Sequence, residues 1–178
     1  THVLPTADSF DEVMSSFKLD ATLAIRQMTR GISLLQRLKA ERQPQLMRSL
    51  LIKDCVERGK EYHAGGARYN WSVVNIGGLS NVVDSLAAVR EMVFEREEVS
   101  GAELQDALGA NFDGYELLRK QLSRCPRFGN DDPRADTLAA EISTFIFREF
   151  RKYTPWRGGR FLPACLMFVT YADAGLDV

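Results

Sequence analysis

The sequence predicts a mostly α-helical domain with a small β component of about two strands. Apolar residues recur at intervals of three and four over most of the chain, as they do along one face of a helix. Helix-capping residues precede several of these segments. Two short runs rich in β-branched or aromatic residues each follow a glycine pair, Gly65-Gly66 and Gly158-Gly159.

Three helices are predicted before the first strand. Ser9 and Glu12 form a capping box, which starts a short amphipathic helix. Asp20 is expected to cap a second helix over Ala21 to Ala40, where leucines and isoleucines alternate with arginines at helical spacing. A third helix is predicted over Gln45 to Arg58, and the glycine that follows suits a left-handed C-cap.

The remaining elements begin with a strand over Tyr69 to Ile76, which carries Trp, Val and Ile side chains. A long helix with a wide apolar face is predicted next, over Ser80 to Arg96. The second strand candidate is Phe161 to Tyr171. Three helices are predicted between this long helix and the second strand candidate. One is capped by Ser100, one is capped by Asp113, and one starts at Pro133 and ends near Lys152.

Two short buried strands among seven helices cannot form a closed sheet. A lone strand leaves its backbone donors and acceptors unpaired, which is costly in a protein interior. We therefore expect the partner strands to lie elsewhere in a larger chain. Residues 1–178 are predicted to form a single segment of one domain in that chain.

Composition argues against several classes of partner. The 23 Lys and Arg residues nearly balance the 24 Asp and Glu residues, so no overall field favours nucleic acid or an anionic membrane. No uninterrupted apolar run reaches the ~20 residues of a membrane helix. The three cysteines are few and widely spaced, which argues against a disulfide framework and fits a reducing cytoplasm.

Metal and nucleotide motifs are not found in the sequence. His2 and His63 are too far apart to suggest a metal site, and the glycine pairs form neither a P-loop nor a dinucleotide-binding fingerprint. Close backbone approach at strand ends is the better explanation of the three pairs, Gly65-Gly66, Gly77-Gly78 and Gly158-Gly159. Arg157 and Arg160 could hold a carboxylate or phosphate, although a solvated loop is the favoured interpretation.

Several motifs together resemble the glycyl radical enzymes, the pyruvate formate-lyase superfamily. They are RGKEYHAGGARYNWSVVNIGGLSNVVDSL (Arg58 to Leu86), PRFGNDDPRAD (Pro126 to Asp136) and RGGRFLPACLMF (Arg157 to Phe168). The 178 residues contain neither the Gly-Cys-x-Glu thiyl loop nor the Arg-Val-x-Gly-Tyr radical-glycine motif of that family. The resemblance therefore implies an internal segment that lies between these two motifs in a longer enzyme.

The resemblance carries expectations about fold and activity. It implies an α/β parent, a ten-stranded barrel of two half-barrels wrapped in helices, to which this segment supplies one or two strands and their covering helices. The parent would cleave C–C, C–O or C–N bonds, as pyruvate formate-lyase (formate C-acetyltransferase) or a diol dehydratase does. The alternative is a non-enzymatic helical interaction module derived from the family.

The same resemblance implies cofactors and partners. The parent would carry a glycyl radical, installed by an activating enzyme that uses S-adenosylmethionine and an iron–sulfur cluster. No cofactor or metal is expected on this segment, and the isolated chain is expected to be inactive. The expected partners are the rest of the parent barrel, the activating enzyme and further copies of the parent.

Candidate substrate-binding residues also follow from the resemblance. In the dehydratases and lyases of the family, a residue a few positions after the Gly-Gly pair points into the barrel. Counting from Gly158-Gly159 places Leu166 there, with Cys165 and Phe168 as neighbours, and barrel-core packing is the alternative role. Asn75, Asp84 and Ser85 are weaker candidates, for polar support near the first strand.

Cys55-Val56-Glu57 mimics part of a thiyl loop. The resemblance places the true loop elsewhere, since Asp54 replaces the expected glycine and Arg58-Gly59-Lys60 matches a downstream segment. We therefore interpret Cys55 as a packing residue, because free cysteines commonly pack as small hydrophobes.

Overall fold

The structure is a computed structural model that describes residues 3–165 of the chain. It confirms the predicted fold class, because helices dominate these residues and two strands accompany them. A π-helical segment, Arg90–Glu95, directly continues the third α-helix. The α-helices and strands in chain order are α1 Phe10–Arg42, α2 Leu46–Leu51, β1 Ser72–Ile76, α3 Leu79–Val89, α4 Gly101–Gly109, α5 Glu116–Leu122, α6 Pro133–Phe150 and β2 Phe161–Cys165.

Helix α1 is a single helix of 33 residues, so the predicted break at Asp20 is wrong. Asp20 is exposed within the helix, and its neighbours include neither a proline nor a glycine that would interrupt the backbone. The predicted start is confirmed, since the backbone N–H of Glu12 donates to Ser9 Oγ over 3.3 Å. The Glu12 carboxylate accepts from the N–H of Asp8.

Helix α2 ends at Leu51, seven residues earlier than the sequence predicts. The chain then turns, and Asp54 adopts a left-handed φ of 74°. Its carboxylate accepts hydrogen bonds from Arg68 Nε at 2.9 Å and Arg68 Nη2 at 2.7 Å, and another from Arg58. These bonds lower the pKa of Asp54 and stabilise the turn in place of further helix.

The helix predicted over Ser80 to Arg96 changes character at Arg90, where the π-helical segment begins. The N–H of Arg96 donates to the carbonyl of Glu91 over 2.8 Å, which is the wider π-type spacing. The Glu91 side chain is buried, and its two oxygens form salt bridges with Arg96 and Arg134. Pairing from both sides offsets the cost of burying this carboxylate.

Capping predicted two of the next three helix starts correctly. Ser100 Oγ accepts from the N–H of Glu103 at 3.1 Å and caps α4, and Pro133 is the first residue of α6. The predicted cap of α5 at Asp113 is wrong, because this helix starts at Glu116. The N-cap residue, Tyr115, makes no side-chain capping hydrogen bond, and the Glu116 carboxylate accepts from the N–H of Gly114 just before it.

Strands β1 and β2 form a two-stranded parallel sheet, with Ser72 opposite Phe161 and Ile76 opposite Cys165. The expectation that their partner strands lie elsewhere is therefore wrong for this shared edge, since β1 and β2 pair with each other although they lie far apart in the chain. β1 also starts three residues later than predicted, at Ser72, whose N–H donates to the carbonyl of Arg160. The part of the second strand predicted beyond Cys165 lies outside the described residues.

The chain divides into two compact units. Unit 1 contains the residues up to Ala21 and Gly78–Phe145, and unit 2 contains Thr22–Gly77 and the residues from Ile146 onward. The expectation that all 178 residues belong to one domain of a larger enzyme stays a prediction.

Each unit has its own apolar core. In unit 1, Phe10 meets Phe94 edge to face with 6.3 Å between ring centroids. The fully buried side chains of this unit include Val83, Met92, Leu138 and Ile142. In unit 2, the buried cluster consists of Ile25 from α1, Val74 from β1, Phe150 from α6 and Phe161 from β2. The unit 2 core therefore fixes the sheet against two helices.

A contrast between two glycines tests the fold. A Cβ on Gly66 would lie 1.7 Å from the carbonyl oxygen of Lys60, whereas a Cβ on Gly31, inside α1, meets nothing within 4 Å. We expect Gly66→Ala to lower the free energy of unfolding by about 1–3 kcal/mol or more, the usual cost of overpacking. Gly31→Ala should raise it by roughly 0.5–1 kcal/mol, through helix propensity. Urea denaturation measures both, and equal effects of the two variants would contradict the described loop.

Candidate functional site

The candidate site lies where β1 and β2 end together. Because the strands run parallel, both carboxyl ends meet at one edge of the sheet, the edge at which open parallel sheets commonly bind ligands. Asn75 lies opposite Ala164 there, and Ile76 lies opposite Cys165. Residues far apart in the sequence are thus brought together by the pairing.

The two faces of the sheet differ in burial. Side chains alternate along a strand, so Ser72 and Val74 point to one face of β1, and both are buried. Val73, 62% exposed, and the exposed Asn75 point to the other face. We call this second face, with the register partners of these two residues, the outer face. Its residues are Val73, Asn75, Leu162 and Ala164.

The chemistry of the outer face is simple. Three of its four side chains are apolar, and none is ionisable. The Asn75 amide provides one acceptor oxygen and a donor NH₂ group, which suit a neutral hydroxyl or carbonyl group. An uncharged, carbon-rich ligand portion therefore fits this face best.

The predicted site residues are not all brought to the same face. Asn75 lies on the outer face. Cys165 is exposed at the end of β2, but it is in register with Ile76, and alternation directs it to the opposite face from Asn75. Leu166 and Phe168 lie outside the described residues, so their roles stay predictions.

Gln36 of α1 links the two strand segments. Its Nε2 donates to Ser72 Oγ at 2.8 Å, and its Oε1 accepts from the N–H of Arg157 at 3.3 Å. One side chain thus fixes the start of β1 and the loop before β2. Sequence reasoning missed Gln36, because nothing distinguishes it from the other polar residues of an amphipathic helix.

Arg157 has a structural role in the described residues. Its Nη2 donates to the carbonyl of Trp71 at 2.8 Å, and its guanidinium lies 5.8 Å from the centroid of the Tyr62 ring. Arg157 therefore ties the loop before β2 to the residue before β1. Arg160, the other arginine considered for an anion site, is exposed, and its carbonyl accepts from the N–H of Ser72.

Glycines allow the loops before the two strands to touch. A Cβ on Gly65 would lie 2.3 Å from the carbonyl oxygen of Arg157, and one on Gly159 would lie 2.2 Å from that of Asn70. Close backbone approach is thus confirmed at both positions. The same explanation is wrong at Gly78, because a Cβ there would meet nothing within 4 Å. A glycine is favoured at this position because the backbone adopts a left-handed φ of 75°.

The buried cysteines have the properties of packing residues. Burial raises the pKa of the Cys55 thiol, and Cys55 Sγ would lie 3.1 Å from a Cβ on Gly66. Burial likewise raises the pKa of Cys125. A thiol with a raised pKa stays protonated and is a poor nucleophile, which supports the interpretation of Cys55 as a structural residue.

Asp84 and Ser85 are engaged in unit 1. Asp84 Oδ1 accepts from the N–H of Phe128 at 2.8 Å, and Ser85 Oγ donates to the carbonyl of Asn81 at 2.7 Å. Both line an open cavity of about 380 Å³ whose floor is apolar and includes Leu104. Their hydrogen bonds therefore give both residues a local structural role.

Two further properties bear on the site. Among residues 3–165, no group of three or more His, Cys, Asp or Glu side chains is arranged to hold a metal ion. Within the same range, no helix combines the length and the apolar character that crossing a membrane requires.

Comparisons with known proteins place the chain among large enzymes. A sequence profile described as "Pyruvate formate lyase-like" matches residues 1–175. The chain is 34% identical to trans-4-hydroxy-L-proline dehydratase of Clostridioides difficile, over 79% of the chain and 18% of that protein. It is 32% identical to (2S)-3-sulfopropanediol dehydratase of Klebsiella oxytoca, over 100% of the chain and 22% of that protein.

A solved structure gives the same result. The glycerol-bound B12-independent glycerol dehydratase of Clostridium butyricum matches with a TM-score of 0.86 and 34% identity, over 90% of this chain and 20% of that one. The chain therefore spans about a fifth of the length of the relatives it matches.

The role assigned to Gln36 can be tested by stability. Gln36→Leu leaves the Ser72 hydroxyl and the Arg157 N–H without their partner, so we expect the free energy of unfolding to fall by about 1–3 kcal/mol. Asn75→Ala removes an exposed side chain and should change it by less than about 0.5 kcal/mol. Urea denaturation compares the two variants, and a neutral Gln36→Leu would contradict the proposed link.

Proposed function

Since the chain belongs to the pyruvate formate lyase-like family of glycyl radical enzymes, we propose that it is part of a radical dehydratase or lyase. Such an enzyme cleaves a C–O, C–C or C–N bond after a hydrogen atom is removed from the substrate. A dehydratase or lyase is favoured over a formate C-acetyltransferase, because the relatives reported above are named as dehydratases.

The observation that carries this proposal is the in-register parallel sheet with an outer face that is only partly covered, since Val73 and Asn75 are exposed and Leu162 and Ala164 are half-buried. Parallel sheets occur almost only with both faces covered, and two strands are too few for an independent sheet. The pair therefore fits two neighbouring strands of a larger barrel, with the outer face directed to the barrel interior. A stand-alone helical interaction module, the alternative, would leave this face open.

Within that barrel we propose a substrate-binding role for this segment. Asn75 would donate or accept a hydrogen bond with a hydroxyl or carbonyl group of the substrate. Val73, Leu162 and Ala164 would exclude water around it, and Leu166 and Phe168 remain proposed substrate contacts. Cys165 points to the opposite face from Asn75 and is not proposed to line this face. Exclusion of water also protects reactive intermediates from side reactions.

The radical itself is proposed to reside on parts of the parent outside these 178 residues. The glycyl radical supplies hydrogen-atom abstraction once the activating enzyme, which uses S-adenosylmethionine and an iron–sulfur cluster, has installed it. No residue of this chain is assigned to carry it. We further propose that the parent acts in the cytoplasm as a homo-oligomer, without nucleic acid or membrane partners.

Electron paramagnetic resonance tests the proposal. The full-length protein, activated anaerobically by its activating enzyme, should show a glycyl radical signal and convert a hydroxylated substrate, whereas the 178-residue chain should show neither. Asn75→Ala in the full-length protein should lower kcat/KM about 10-fold, the value of one hydrogen bond, with an unchanged radical signal. Asn81→Ala, at an exposed position of α3, is the control and should leave both unchanged. Absence of a radical in the full-length protein would refute the proposed function.

A further inference from the structure

Helix α2 buries a polar side chain and exposes its apolar side chains, the reverse of an ordinary surface helix. Its buried residue is polar, Ser49, with 8% exposure. Its apolar residues point outward and form one continuous face, with exposures of 67% for Leu46, 76% for Met47, 63% for Leu50 and 89% for Leu51. A helix at a water interface normally has the opposite arrangement.

Hydrogen bonds hold α2 in this orientation. Ser49 Oγ donates to the carbonyl of Gln45 at 2.8 Å and accepts from the N–H of Tyr62 at 2.9 Å. The N–H of Gln45 donates to Glu61 Oε1 at 2.8 Å. Rotation of the helix to bury its leucines would break the bonds to Tyr62 and Glu61, so the outward apolar face is a fixed feature of unit 2.

The exposed apolar face of α2 belongs to a wider pattern. Of the 18 large apolar side chains exposed within the described residues, 14 lie in unit 2 and four in unit 1. A contiguous exposed apolar face, as on α2, marks a surface that interacts with another protein surface, a membrane or a ligand. Besides the four residues of α2, the members in unit 2 are Leu23, Met28, Leu34, Leu35, Leu38, Val56, Tyr69, Trp71, Val73 and Trp156.

We propose that the outward face of α2 (Leu46, Met47, Leu50 and Leu51) docks against another part of the same polypeptide in the full-length protein. This inference rests on the proposed function. The reported relatives are about five times as long as the matched segment, which leaves ample chain to cover this face. The same unit also contains the two-stranded sheet, which needs further strands from that chain.

Two other occupants fit less well. A second copy of the chain could extend the sheet on one edge, but a large polypeptide is needed to cover helices and sheet together. A membrane surface is the less suitable partner, because electrostatic attraction to anionic lipids needs clustered basic residues and the net charge of this chain is −1.

Cysteine labelling in two contexts tests the docking. The variant Met47→Cys is made both in the 178-residue chain and in the full-length protein. Cys165→Ser is added in each case to remove the exposed native thiol. Mass spectrometry then measures the maleimide labelling of each cysteine-containing peptide. We expect the introduced thiol to be labelled rapidly in the 178-residue chain. In the native full-length protein its labelling should be on the order of 100-fold slower, because there the thiol is exposed only when the docked surfaces separate transiently. Gln105→Cys, on an exposed polar position of α4, should label rapidly in both, and Leu51→Cys repeats the test at a second position.

Each outcome decides the proposal. Protection that persists when the full-length protein is diluted to a monomer supports intramolecular docking. Equal labelling in the two contexts overturns it, and protection that disappears on dilution to the monomer assigns the face to a second copy and also overturns it. The labelling requires no radical, so a protected Met47→Cys in a full-length protein whose unsubstituted form shows no glycyl radical after activation would refute the proposed function and leave the docking standing.

Discussion

The parallel pairing of β1 and β2 is the interaction on which the rest of the described structure depends. Parallel strands cannot be joined by a tight turn, so two segments far apart in the sequence must be brought into register by other contacts. Gln36 supplies one of these contacts, because it bonds to Ser72 and to the backbone of Arg157. Gly65 and Gly159 supply the space in which the preceding loops meet.

This pairing also divides the sheet into a structural face and an exposed face. Val74 and Phe161 pack into the unit 2 core with Ile25 and Phe150, which ties the sheet to α1 and α6. Within the same unit, Val73 and Asn75 of the outer face and the apolar residues of α2 are exposed, whereas Leu162 and Ala164 are half-buried. The proposed place of the chain in a larger barrel enzyme would account for both, since such a segment keeps its own core and leaves surfaces for the remainder of that protein to cover.

The sequence predicted what local chemistry decides. Ser9, Ser100 and Pro133 mark helix starts because a capping side chain or a proline acts on the nearest turn. Tertiary contacts decided the rest: Asp20 lies inside a helix that continues past it, and α2 ends early because Arg68 stabilises the turn at Asp54. For the candidate site, the sequence named Asn75 as a polar candidate, which stays a prediction. Its pairing with Ala164 and the link through Gln36 depend on contacts between distant segments, which no local pattern encodes.

The most direct test of this account is a pair of engineered disulfides across the sheet. Val73 and Leu162 are register partners, close enough for a disulfide, whereas Val73 and Ala164 are about 8 Å apart in this register, beyond the reach of one. With Cys165 replaced by Ser, mild oxidation should cross-link Val73→Cys to Leu162→Cys, and mass spectrometry should find no cross-link between Val73→Cys and Ala164→Cys. Cross-linking of the second pair alone, or of neither pair, would contradict the parallel in-register sheet.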